Sequence, residues 1–99
     1  MNSIPSIALS GLQVASRRMA ASAQNIANLG TEGYRRMEVV SSPLPGGGVQ
    51  ATTRQAAEPG ENLLADVVSQ MQGEYMFKAN LQSIRTYDRL LGVLVDIRA

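Results

Sequence analysis

The chain has 99 residues, with no Cys, His or Trp, and its 9 basic and 8 acidic residues leave a formal net charge of +1. Lack of Cys and His removes disulfides, thiolate sites, the commonest metal ligand and the commonest general base at neutral pH. The expectation is a non-enzyme with no catalytic, cofactor-binding or metal-binding residues and no small-molecule substrate. Balanced charge gives no long-range pull toward nucleic acid or anionic lipid, and an aromatic content of 4% leaves few platforms for base stacking.

A chain this short forms one small domain, and such a domain is marginal on its own. With disulfides and metals excluded, it needs assembly or an unusually well packed helical core. No membrane span is expected, because the most apolar run, Leu90 to Ile97, is short and carries Asp96. The first basic residue is Arg17, so no secretory leader is expected, and departure from the cytoplasm would take a route without a cleaved signal.

The fold expected is mainly α: an antiparallel, coiled-coil-like pair of long N- and C-terminal helices joined by a connector with a short β-hairpin. Three segments follow, at 1–29, 30–60 and 61–99. In the first, a helix is predicted from residue 3 to about 28. The series Ala8, Leu12, Ala15, Met19, Ser22, Ile26, Leu29 alternates steps of four and three, the seam of a coiled coil or tight bundle. Ser3 or Ile4 takes the N-cap position, and Pro5 suits a first turn. Alanines at 20, 21, 23 and 27 favour helix and admit a close neighbour.

In the connector, Gly30 is the expected stop of the first helix. Residues 37–40 read as a strand, 43–48 as a turn and 49–54 as a returning strand. A lone hairpin is marginal in water, so this one either leans on a helix or is mobile. The third segment reads as one long helix from 61 to about 98. Leu63, Val67, Phe77, Leu81, Ile84, Leu91 and Val95 fall near one stripe, widened by Leu64, Val68, Met71 and Tyr75. Intramolecular packing is therefore expected between Leu12, Met19 and Ile26 and the set Val67, Phe77, Leu81 and Ile84. Gly73 and Gly92 mark either close approach of another backbone or weak spots on an exposed face.

The two helices differ in reach, about 38 Å against about 55 Å at the helical rise. With Asn28 beside Asn62, Met1 falls near Arg89, and the last turns have no cover from their own chain. Leaving several of Leu90, Leu91, Val93, Leu94, Val95 and Ile97 in water forfeits on the order of 10 kcal/mol. The sequence therefore asks for a partner at its C-terminal end, unless the helix breaks at Gly92 and folds back as a cap.

Asn25-Ile26-Ala27-Asn28-Leu29-Gly30-Thr31-Glu32-Gly33-Tyr34 resembles the N-terminal signature of bacterial flagellar axial proteins, the rod type most closely. The run from Ser6 and Ile7 to Gly11 and Leu12 resembles that family's opening helix. Phe77-Lys78-Ala79-Asn80 is similar to its C-terminal aromatic-x-Ala-Asn element. Family-motif residues are thus Asn25, Ala27, Asn28, Thr31, Gly33, Tyr34, Phe77, Ala79 and Asn80. The helix-packing and assembly set is Ile7, Leu12, Met19, Ile26, Val67, Leu81, Ile84, Leu91 and Leu94.

The resemblance implies a structural subunit of the flagellar basal-body rod. It implies passage through the flagellar type III export apparatus and polymerisation by terminal helices into the periplasm-spanning drive shaft. The partners implied are the chain itself and other rod or axial proteins. The middle segment is short even for a rod protein. A small secreted helical-hairpin dimer, a binding module of another secretion system, is the alternative; such proteins carry a Trp-x-Gly turn that this chain lacks.

Physically, Asn25 and Asn28 are suited to bond backbone groups at a helix end, Thr31 to a local turn and Gly33 to a change of direction. Tyr34 can bury its ring while its hydroxyl finds a partner. Asn80 either fixes helix register or is simply exposed. The doublets Arg17-Arg18 and Arg35-Arg36 read as solvated faces, and Asp66, Asp88 and Asp96 do not converge on a metal.

Overall fold

The computed structural model describes residues 4–98. Helix α1 spans Ile4–Ala27, strand β1 Met37–Pro43, strand β2 Val49–Gln55 and helix α2 Leu63–Arg98. Pro5 sits in the first turn of α1, where its missing N–H costs nothing. The N-cap expected at Ser3 and the position of Met1 lie outside the described residues; Ile4 is already helical. Asn62 caps α2, its Oδ1 accepting from Ala65 N at 3.1 Å.

The strands pair antiparallel from Met37 opposite Gln55 to Pro43 opposite Val49. The first strand runs three residues further than its apolar stretch, because Ser41, Ser42 and Pro43 still find partners across the ladder. Gly46, Gly47 and Gly48 all take positive φ, which lets the tip close with Leu44 N donating to Gly48 O at 3.0 Å. The hairpin leans on α1, and no strand Cα comes within 8 Å of an α2 Cα. Val49 N donates to Ser10 Oγ at 3.1 Å, and Val14 shares a groove with Leu44, Val49 and Ala51.

The helices pack antiparallel at short range. Asn80 fills the notch left by Gly11, where a Cβ would sit 2.6 Å from Asn80 Cγ. At Gly73 a Cβ would sit 2.8 Å from Met19 Cγ and 3.2 Å from Ala15 O. Asn25 meets Asp66, and Ile4 shares a groove with Thr86, Tyr87 and Leu90. The same register therefore runs from end to end. Of the two glycines in α2, Gly73 marks close approach, whereas Gly92 has nothing within 4 Å and the helix runs straight through it.

The resulting core is thin. Among the described residues its fully buried apolar members are Ala8, Val14, Ala15 and Ala21. From the α1 seam, Ala8, Ala15 and Ser22 are buried, and Leu12, Met19, Ile26 and Leu29 are half-buried. On α2, Leu81 and Ile84 are half-buried. Val67 and Phe77, expected to pack against α1, are instead exposed, as are Leu63, Leu64, Val68, Met71 and Tyr75. The inward positions belong to Asp66, Gly73 and Asn80. The molecule measures 64 × 25 × 13 Å with a radius of gyration of 17.4 Å. A compact chain of this length has about 13 Å.

The notch predicts a specific coupling. Gly11→Ala is expected to cost about 1–3 kcal/mol by overpacking. Because Asn80 Nδ2 bonds only back to Met76 O of its own helix, at 2.8 Å, Asn80→Ala in the same chain should recover most of that loss. Gly92→Ala, in open space, should instead stabilise by up to about 1 kcal/mol. Urea unfolding followed by circular dichroism measures all three.

Candidate functional site

The turn after α1 is built from its own side chains. Asn28 Nδ2 donates to Gln24 O at 2.8 Å, a carbonyl that also accepts from Asn28 N at 3.1 Å, so the last turn is held twice. Thr31 N donates to Asn28 O at 3.0 Å and Thr31 Oγ1 to Asn28 Oδ1 at 3.3 Å. Gly30 and Gly33, at φ +84° and +77°, supply the left-handed steps that turn the chain back. Gly30 N also donates to Glu61 Oε1, and Gly60 N to Tyr34 O at 3.3 Å, so both ends of the connector are tied together.

Asn25 does something different from Asn28. It is buried, and its side chain reaches across the fold rather than capping its own helix. Its Nδ2 donates to Met37 O at 3.0 Å and to Asp66 Oδ1 at 3.1 Å. Its Oδ1 accepts from Met37 N at 2.7 Å and from Tyr34 Oη at 2.9 Å. All the hydrogen-bonding capacity of the amide is used. To Met37 it presents a donor and an acceptor at once, as a neighbouring strand would, and β1 starts there.

Asp66 is the largest fully buried side chain among the described residues, 1% exposed. Its carboxylate accepts from Arg36 Nη2 and, at 3.4 Å, from Arg36 Nε, in addition to Asn25. Arg36 is therefore an exception to the solvated-face reading of Arg35-Arg36. Arg35 stays exposed and donates to Gln55 Oε1 at 3.1 Å. The hydrogen bond to Asp66 raises the Arg36 guanidinium above its already high ordinary value, against the opposing pull of burial. The sequence carried no sign of this pair. Asp66 lies thirty positions from Arg36 on a stripe that reads as apolar, and only the packed register brings them together.

This knot joins α1, β1 and α2. Its donors and acceptors satisfy one another, and among the described residues no group of three or more His, Cys, Asp or Glu could hold a metal ion. Of the other residues singled out in the sequence, Ala27, Ile7 and Phe77 are exposed, as are Val67 and Ala79. Asn80 is half-buried at Gly11, and Leu91 and Leu94 are exposed beyond the end of α1.

Residues 6–35 match the family described as flagella basal body rod protein. Through this segment the chain is similar to the flagellar basal-body rod family. The match runs from the first turns of α1 to the residue after Tyr34, so it takes in the whole helix exit and stops short of the Phe77 to Asn80 element. No curated protein matches the chain. The rod-family signature thus has a structural job here: Asn28, Thr31 and Gly33 make the turn, while Asn25 and Tyr34 lock it to β1 and α2.

Asn25→Ala would leave Tyr34 Oη and both backbone groups of Met37 without partners, an expected loss of about 2–4 kcal/mol. Tyr34→Phe, which removes one bond, should cost about 0.5–1.5 kcal/mol. Arg36→Met, which strands a buried carboxylate, should cost about 3 kcal/mol. Equilibrium unfolding of the three variants checks the ranking.

Proposed function

We propose that the chain is a structural subunit of the bacterial flagellar basal-body rod, joining the axial drive shaft by packing its terminal helices against copies of itself and other rod proteins. The observation that carries this reading is the unequal length of the helices. α1 has 24 residues and α2 has 36, or about 36 Å against about 54 Å. Beyond the level of Ile4 no described residue of α1 lies beside the last turns of α2. Leu90, Leu91, Val93, Leu94, Val95 and Ile97 are all exposed, Leu94 at 56% and Ile97 at 75%. A contiguous apolar end on a chain with so thin a core is an interaction surface.

Other features support the same reading. An elongated molecule with small residues between its helices suits a stave in a tube better than a free globule. A core of alanines and one valine is cheap to open, which suits a chain that passes the flagellar export apparatus. Among the described residues no helix is long and apolar enough to cross a membrane. The family is a structural one, so a supporting role rather than catalysis is assigned.

Burying each terminal side chain is worth about 1.5–3 kcal/mol. Replacing both Leu91 and Leu94 by Asp should therefore abolish assembly without unfolding a pair of helices that those residues do not hold. In a deletion strain, the double variant is expected to accumulate at the normal level and fail to restore swimming. Restored swimming would overturn the docking role. A deletion that leaves basal bodies intact under the electron microscope would overturn the rod role and favour a discrete dimer serving another secretion system.

A further inference from the structure

We infer that the outer edge of β2 pairs antiparallel with the β2 edge of a second copy of this chain, closing a two-fold pair about Thr53. This contact lies apart from the apolar end of α2 and does not rest on the rod reading.

The ladder decides which backbone groups face outward. Arg36 O accepts from Ala56 N at 2.8 Å at one end of the hairpin, and Leu44 N donates to Gly48 O at 3.0 Å at the other. Hydrogen-bonded pairs alternate along an unbroken antiparallel register, so the even-numbered residues of the two strands bond each other. The odd-numbered residues turn N–H and C=O to the two edges. The side-chain bonds agree: Asn25 meets both backbone groups of Met37, and Ser10 Oγ accepts from Val49 N.

The two edges differ. On β1, Met37 is occupied by Asn25, Pro43 has no N–H, and Val39 borders a cavity shared with Asp66 and Ser69 of α2. On β2, the backbone donors and acceptors of Ala51, Thr53 and Gln55 have no partner among the described residues. β2 has no Pro, no Lys and no bulge, the usual guards of an open edge. Its one charge, Arg54, is drawn back to Glu38 Oε2 on β1 at 3.1 Å. A row of free N–H and C=O groups on extended backbone is complementary to another strand.

One register of a copy suits this row. With Thr53 opposite its counterpart, Ala51 faces Gln55 and Gln55 faces Ala51, so every free group is used and each pair exchanges two bonds. A slip toward the tip would need the Val49 N–H that Ser10 holds. The opposite slip sets Ala51 against Ala57, beyond the end of β2. Like charges stay apart, because Arg54 then faces Thr52 of the copy. The product is a four-stranded sheet with both α1 helices on one face, where a lone hairpin is marginal. The area buried edge to edge is small, so the pair is weak and forms at high concentration.

Amide exchange of the full chain, followed by NMR at millimolar concentration and after dilution, tests the pairing. Protection that grows with concentration is expected at Ala51, Thr53 and Gln55, and not at Val39 or Ser41. The chain has no Cys, so Thr53→Cys chains can form disulfides only with one another. Their counterpart Cα atoms would lie about 5.5 Å apart, within disulfide reach. On oxidation this variant should give at least about tenfold more linked dimer than Gln50→Cys, whose counterpart sits at the far end of the paired strands. Thr53→Pro removes an N–H that the hairpin's own ladder does not use. Circular dichroism should therefore stay unchanged while the concentration-dependent protection of Ala51 and Gln55 disappears. Where that variant unfolds, the ratio of the two cysteine variants decides alone. Exchange that ignores concentration, or equal linking of the two cysteine variants, would overturn the inference. The Leu91→Asp, Leu94→Asp chain should keep the pairing; if it does not, the association belongs to the end of α2, and this inference falls while the rod reading stands. If the pair forms and a deletion leaves basal bodies intact, the rod reading falls and the pair stands.

Discussion

Asn25 contributes one amide, and three parts of the chain are placed by it. It accepts from Tyr34 in the turn, exchanges a donor and an acceptor with Met37 at the start of β1, and donates to Asp66 on α2. No other residue type does this in the same space. Asp has no donors for Asp66 or for the Met37 carbonyl and would set two carboxylates face to face, and Gln is a methylene too long. Once Asn25 is seated, the entry of the hairpin and the level of α2 against α1 are both decided. A fully satisfied buried polar group of this kind contributes specificity as well as stability.

From that knot the register propagates through small residues. Gly73 lets α2 come against Ala15 and Met19, and Gly11 admits Asn80. Close approach of two backbones needs residues with little or no side chain, and the consequence is that little apolar area lies between the helices. Alanine and glycine seams set geometry well and hold weakly. The fold therefore has a defined shape, a radius of gyration well above that of a compact chain, and few large apolar side chains hidden within it.

The same feature explains what could be read in advance. Helix ends, the glycine turn and the hairpin were legible because local chemistry dictates them: Pro5 at one end, Gly30 at the other, three glycines at the strand tip. The α1 seam was legible too, since its four-three spacing places Ala8, Ala15 and Ser22 inward. The α2 seam was not. Periodicity arguments assume that the apolar stripe of a helix faces its own core. Here Asp66, Gly73 and Asn80 face inward, while Leu64, Val68 and Met71 face out. The Asp66–Arg36 pair was invisible for the same reason: it is a product of register, and nothing in either residue's neighbourhood announces it.

The layering shows which element is left for other molecules. α1 packs against both α2 and the hairpin, and no strand Cα comes within 8 Å of an α2 Cα. α1 thus contacts every other element, although it is the shorter of the two helices. Among the described residues, α2 has one covered side over the length that α1 reaches and no covered side past it. An isolated soluble domain of this composition would spend its leucines and valines on the buried helix face. This chain places them on the face and the end that its own fold cannot reach. The division is physical: polar and small groups specify how the chain folds, and the large apolar groups of α2 are left exposed.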